Sequence, residues 1–148
     1  MKISTKGRYG LRAMLDLALN SKGGCVSLNS IATRQNISEN YMEQVFSLLR
    51  KAGLVKSIKG PQGGYTLGLN PSSIKIGDIL RALEGNLLVV DEKNNEVSKD
   101  NTFEYCLQLK VWNKINESIN RVVDLLTLED LMEDYKKIND SQSLMYYI

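Results

Sequence analysis

Apolar residues recur every three or four positions near the start of the chain. Leu11, Met14, Leu15, Ala18 and Leu19 form one stripe, the signature of a helix with one buried side. Ser4 is placed to cap that helix, which runs to about Asn20, and Ser21-Lys22-Gly23-Gly24 ends it. Ser27 then caps a short helix carrying Leu28, Ile31 and Ala32, and Arg34 to Ile37 forms a tight turn. Ser38 caps a third helix with Met42, Val45, Leu48 and Leu49 at helical spacing, ending at Ala52-Gly53. Two short helices joined by so brief a turn predict a helix-turn-helix.

The period then changes. Leu54 to Ile58 and Tyr65 to Leu67 are β-prone runs around Lys59-Gly60-Pro61-Gln62-Gly63-Gly64, which predicts a hairpin. A hairpin directly after a helix-turn-helix is the wing of a winged helix. Another helix follows over about Ile76 to Glu84, with Gly85 as its stop. Asp91 to Asn101 is polar and charged and reads as an exposed loop. A long helix is expected from about Thr102 to Leu126, with Tyr105, Trp112, Ile115, Ile119, Val122 and Leu126 on a 3-4 spacing. Thr127-Leu128-Glu129-Asp130 matches a capping box for a last helix over about Leu128 to Ile138. The fold class is therefore mainly α. The expected division is a winged helix-turn-helix DNA-binding domain over 1–85, an exposed loop over 86–101, and a dimerisation helix with a C-terminal helix over 102–148.

Charge adds direction to this pattern. The net charge of +2 conceals a split: 12 Lys/Arg against 4 Asp/Glu from Met1 to Ala82, then 7 against 13 from Leu83 to Ile148. A basic front half suits a polyanion. The absence of histidine removes the commonest general base and the commonest zinc ligand. Two cysteines allow neither a disulfide framework nor a four-cysteine metal site. With no clustered catalytic groups, the chain reads as a non-enzyme. No apolar run is long enough for a membrane span, and no apolar signal segment follows the basic N-terminus, so a cytoplasmic protein is expected.

Between its core positions the third helix offers Glu39, Asn40, Tyr41, Glu43, Gln44, Ser47, Arg50 and Lys51. Gln and Asn pair bidentately with adenine and Glu accepts from the cytosine amino group, so this face can read a major groove. Ser38 leaves helix N-terminal N–H groups suited to a phosphate. The wing brings Lys56, Lys59 and Gln62 among Gly60, Gly63 and Gly64, small residues that admit a sugar-phosphate chain. Lys2, Lys6, Arg8 and Arg12, with Tyr9 among them, add a basic helix start for backbone phosphate. The competing readings are a solvated polar helix face and a plain surface hairpin. A phosphate loop is excluded, since Tyr65 follows Gly63-Gly64 where Lys-Ser/Thr would be needed.

The long helix carries a second apolar row, Phe103, Leu107 and Val111. A helix apolar on two sides needs two covering surfaces, which are its own domain and a twin helix, or its own domain alone. A two-fold homodimer would match a pseudo-palindromic double-stranded operator, with Trp112, Ile115, Ile119, Val122 and Leu126 as its seam. Cys25, near Lys22, is the redox candidate, with an inert apolar role as the alternative. Cys106, beside Leu107, reads as structural.

Four runs carry a resemblance: Met1 to Gly10 (MKISTKGRYG), Tyr41 to Gln44 (YMEQ), Leu49 to Val55 (LRKAGLV) and Gly60 to Tyr65 (GPQGGY). They resemble the Rrf-two family of bacterial winged-helix transcription regulators along nearly the whole chain. The resemblance implies DNA contacts at Tyr9, Ser38, Asn40, Tyr41, Glu43, Gln44, Arg50, Lys59 and the Gly60 to Gly64 wing tip. Lys59 stands where relatives often have Arg, and a point charge lacks the bidentate fork that reads a groove. Cluster-binding members carry three close cysteines before the long helix; here Leu87 to Tyr105 has none. The resemblance therefore implies the cluster-free branch: no cofactor, repression of cysteine and sulfur genes, and a cysteine synthase (O-acetylserine thiol-lyase) as co-repressor. A same-fold iron–sulfur or redox-sensing regulator, and an interaction adaptor that does not bind DNA, are the alternatives.

Overall fold

The computed structural model describes residues 1–90 and 100–146 of the chain. Three serines start the first three helices as their positions predict. Ser4 accepts from the Gly7 N–H at the head of α1 (Thr5–Asn20), Ser27 from Ser30 at the head of α2 (Leu28–Gln35), and Ser38 from Tyr41 at the head of α3 (Glu39–Lys51). Each cap satisfies an N–H that has no partner within its helix. The link between α2 and α3 is tighter than expected, because Arg34 and Gln35 belong to the last turn of α2. Asn36 makes the reversal at φ +55, a left-handed conformation that Asn tolerates.

The core lies where these helices cross. Met14, Leu17, Ile31, Met42, Phe46 and Leu49 are fully buried. On α1 the buried arc is rotated from the expected stripe: Ala13, Met14, Leu17 and Ala18 are inside, while Leu11, Leu15 and Leu19 are half-buried. Glycine explains the rotation. Gly7 and Gly10 face α4 (Ile76–Glu84), and a Cβ at either would collide with the Glu84 or Leu83 side chain. The helices close at that line, so the stripe drawn from large residues alone misses its centre.

The wing is an antiparallel pair, β1 (Val55–Ile58) and β2 (Gly64–Leu67), in register from Val55 opposite Leu67 to Ile58 opposite Gly64. Val26 adds a one-residue third strand, exchanging N–H···O bonds of 2.9 and 2.8 Å with Tyr65. The Tyr65 ring packs on Phe46 at 4.7 Å between centroids, fixing the wing to α3. Gly85, at φ +79, ends α4 as expected.

The second half departs further from the expected pattern. Residues 91–99, most of the expected exposed loop over 86–101, lie outside the described residues. Asn86 is exposed, but the chain turns inward directly after it: Leu87 is buried and the Val89 N–H donates to Asn116 Oδ1 at 2.8 Å. The long helix is present but is not one α-helix. α5 (Thr102–Leu107) and α6 (Asn113–Leu125) are joined by a π-helical turn, Gln108–Trp112. A π turn widens the helix and shifts every later side chain around the axis. The expected seam does not share one environment: Trp112 is half-buried and Ile119 packs on the core, while Ile115, Val122 and Leu126 are exposed.

α7 (Leu128–Tyr146) starts with the expected capping box, Thr127 and Asp130 exchanging bonds of 3.0 and 3.1 Å. It runs eight residues past Ile138, and the sequence beyond contains neither Gly nor Pro to stop it. Its first turns belong to the core, with Leu128 fully buried and Leu131 and Met132 packed against it. Among the described residues no helix is long and apolar enough to cross a membrane.

Candidate nucleic-acid interface

The polar face of α3 carries several of the candidate residues. Asn40, Glu43, Gln44, Arg50 and Lys51 are exposed along α3, and Tyr41 is half-buried at its first turn. A shallow depression of 600 Å³ joins this helix to α1, lined by Lys6, Asn40, Glu43, Gln44, Ser47 and Leu48. Glu39 is less available than its exposure suggests, because Asn29 on α2 donates to its Oε2 at 3.1 Å.

The wing supplies a second rim. Lys56, Lys59, Gly60 and Gln62 are exposed, and Gly63 is half-buried. The tip closes by a 3.0 Å bond from the Gly63 N–H to the Gly60 carbonyl, with Gly60 at φ +115. A Cβ at Gly63 would meet the Ile58 carbonyl, so this turn admits only glycine there. The half-buried Cys25 lies beneath the tip, its thiol donating to the Gln62 carbonyl at 3.0 Å. Cys106 is exposed on α5 and not in the core.

The basic start of α1 is only partly free. Lys2 and Arg8 are exposed, and Arg8 Nη2 donates to Thr5 Oγ1 at 3.3 Å. Arg12 is exposed but engaged: it bonds the Gln35 carbonyl at 2.8 Å and lies 5.2 Å over the Tyr9 ring. Tyr9 is half-buried and meets Tyr41 edge to face.

Three side-chain linkages that hold this surface were not named from the sequence. Asp16, 5% exposed, takes a forked pair of bonds from Arg34, the shortest 2.7 Å, and a third from Gln35 at 2.9 Å. That hydrogen bonding holds the Arg34 guanidinium above its ordinary pKa. Glu84 on α4 accepts from the Ser4 and Gly7 N–H groups, both at 3.0 Å, and from the Ser4 hydroxyl. Arg81 bonds Asp124 at 2.9 Å and Asn120 at 2.7 Å, raising its own pKa and lowering that of Asp124. An Asp within an apolar stripe was the available signal for the first; its partner, 18 positions away, had none.

The family model that matches residues 3–134 is described as Rrf2, iron-dependent transcriptional regulator. Over 148 residues, all of both chains, the sequence is 47% identical to the HTH-type transcriptional regulator CymR of Bacillus subtilis (strain 168). The solved structure of CymR (YrzC), described as the global cysteine regulator of B. subtilis, superposes with a TM-score of 0.76 at 46% identity, covering 90% of this chain and 97% of that one. IscR of T. potens superposes with a TM-score of 0.76 at 46% identity, covering 99% and 97%. These relatives are regulators and not enzymes. The chain belongs to the Rrf2 family of transcriptional regulators.

Proposed function

We propose that this regulator is a homodimeric repressor that reads a pseudo-palindromic DNA operator. In this reading residues 1–85 hold the DNA and residues 102–148 hold the partner protomer. The observation that carries it is the α3 surface, where Asn40, Glu43 and Gln44 are exposed and share a depression with Lys6 of α1, while the wing, packed on α3 through Tyr65 and Phe46, exposes Lys56 and Lys59. Polar side chains that can pair with base edges are thus accompanied by cations that can neutralise phosphate. Lys2, Tyr9, Ser38, Tyr41, Arg50, Lys51, Gly60, Gln62 and Gly63 complete the proposed contacts. The test is anisotropy of a labelled promoter fragment at rising salt. Each phosphate contact adds a log–log slope of about −0.9, and a flat dependence would overturn the reading.

The target genes proposed are those of cysteine and sulfur metabolism, supported by the likeness to B. subtilis CymR, described as a global cysteine regulator. The same likeness supports a cysteine synthase as co-repressor, tested by capture of that enzyme on the immobilised regulator. The family model's description includes iron dependence, and the donor set of this chain does not fit an iron–sulfur cluster. Such clusters are held chiefly by four cysteine thiolates, and the chain has two cysteines and no histidine. Cys25 sits under the wing and Cys106 on α5, and among the described residues no His, Cys, Asp and Glu group could hold a metal.

Cys25 remains the redox candidate. Oxidation of its sulfur would remove the donor to the Gln62 carbonyl and add bulk beneath the wing tip. Peroxide is expected to lower DNA binding by the wild type and spare Cys25→Ser; equal responses would remove the sensor role.

A further inference from the structure

We propose that the cleft between α1, α2 and α7 is an effector site for a small carboxylate carrying a short carbon skeleton. The cleft has a volume of 530 Å³ and is lined by Arg12, Leu15, Asp16, Leu19, Arg34 and Tyr135, among others. That volume is within the range of small-molecule sites, which combine an apolar lining with a few placed polar groups.

The charges set the sign of the ligand. Asp16 is already satisfied by Arg34, Gln35 and Asn20. Arg34 spends Nε and Nη2 on Asp16, and Arg12 spends Nε and Nη2 on Gln35. Among the described residues each guanidinium keeps its Nη1 without a hydrogen-bond partner. Two cations against one anion leave the lining at net +1, which matches a monoanion. Leu15 and Leu19 supply apolar wall that a bare inorganic ion would leave wet. Tyr135 adds a ring and a hydroxyl from α7, and it is 45% exposed, so the mouth is open.

The cleft connects to the DNA-reading surface by direct contacts. Arg12 lies over Tyr9, and Tyr9 lies against Tyr41 on α3. A carboxylate that drew the Arg12 guanidinium toward Arg34 would remove it from Tyr9 and loosen the support of the recognition helix. A ligand shifts an equilibrium only by its differential affinity for the two states, and this contact supplies the difference. The site stands on the cleft alone; its effect on DNA rests on the repressor reading.

The test is amide chemical-shift mapping of the full-length regulator with butyrate, butyramide and inorganic phosphate. Butyrate is expected to shift amides of residues 12–20, 34–35 and 135, and the neutral isostere butyramide to leave them in place. Arg12→Gln should weaken butyrate about tenfold, the loss of one charge-assisted bond. Tyr135→Ala, at a residue outside both the proposed DNA contacts and the proposed seam of Trp112, Ile115, Ile119, Val122 and Leu126, should weaken butyrate and leave both the oligomeric mass and DNA affinity without ligand unchanged. Equal shifts from butyramide, or stronger ones from phosphate, would overturn the carboxylate site. Normal butyrate binding by a protein that fails to bind any promoter DNA would support the site and overturn the repressor reading instead.

Discussion

Tyr9 of α1 meets Tyr41 of α3 edge to face, with ring centroids 5.8 Å apart and planes at 78°. The N–H of Tyr41 is also the one that Ser38 caps. The contact therefore fixes the first turn of the helix proposed to enter the groove. Edge-to-face pairs contribute about 0.5–1.5 kcal/mol beyond the area they bury. Tyr9→Ala is expected to lower stability in urea by about 1 kcal/mol and to weaken DNA on every sequence alike, because no base edge is lost. Tyr9→Phe keeps the ring and separates packing from the hydroxyl. Wild-type DNA affinity in Tyr9→Ala would show that α3 needs no such support.

Gln44 is exposed on the same helix and lines the depression shared with Lys6. A bidentate pair with adenine discriminates by about 1–3 kcal/mol. Gln44→Ala should lose that much on cognate DNA and little on random sequence, narrowing the ratio between them. Equal losses on both, measured by competition binding, would place Gln44 on the sugar-phosphate backbone.

Asp16 and Arg34 are unequally placed: the carboxylate side chain is 3% exposed and the guanidinium side chain 40%. Removing Arg34 strands a buried charge that cannot reach water, whereas removing Asp16 frees an arginine that can. Breaking a buried pair by deleting one partner costs about 3–5 kcal/mol. Arg34→Ala should approach that range in chemical denaturation, Asp16→Asn should cost less, and Asp16→Asn in the Arg34→Ala background should recover stability. An Arg34→Ala protein as stable as Asp16→Asn would contradict the asymmetry.

The hydrophobic period and the capping residues made most of the fold legible. Ser4, Ser27 and Ser38 stand where they cap, and Gly85 stands where it ends α4. The order of helix, helix and hairpin is local information, set by residues a few positions apart. What could not be read depends on contacts distant in sequence. Gly7 and Gly10 shift the buried arc of α1 because α4 lies against them. The π turn at Gln108–Trp112 has no period of its own, so the break between α5 and α6 was not announced. The proposed recognition surface follows from the same local information, since residues of one short helix share a face. The engagement of Arg12 by Gln35 and the grip of Asn29 on Glu39 do not, because both partners come from other elements.

Asp124 joins α6 to α4 through Arg81, at 2.9 Å. The hydrogen bond from Arg81, with its charge and that of Lys75, lowers the Asp124 pKa below its ordinary 3.8. A carboxylate with a depressed folded-state pKa contributes stability above its unfolded value and loses it as the pH falls through the folded value. Wild type should therefore exceed Asp124→Asn in stability at neutral pH, with the gap narrowing below about pH 4. Thermal melts across that range check it, and a gap independent of pH would assign the effect to packing.

The inner side of α6 carries more polar residues than that of an ordinary surface helix, set beside Ile119 and Val123. Its inner side carries Asn116, Asn120 and Asp124, bonded to Val89, Leu87 and Arg81. Its outer side exposes Ile115, Val122 and Leu125 at 39%, 59% and 72%. Large apolar residues left exposed on one helix mark a candidate interaction surface. If a twin helix covers it, Val122→Glu buries a charge against the partner and should yield a folded monomer by light scattering. Exposed substitutions in a lone chain change stability by about 0.5 kcal/mol or less, so the helical circular dichroism of the variant should be retained. Binding to a full palindrome should fall to that of a half-site, because two linked half-site contacts become one. A Val122→Glu protein of unchanged mass would move the dimer seam elsewhere.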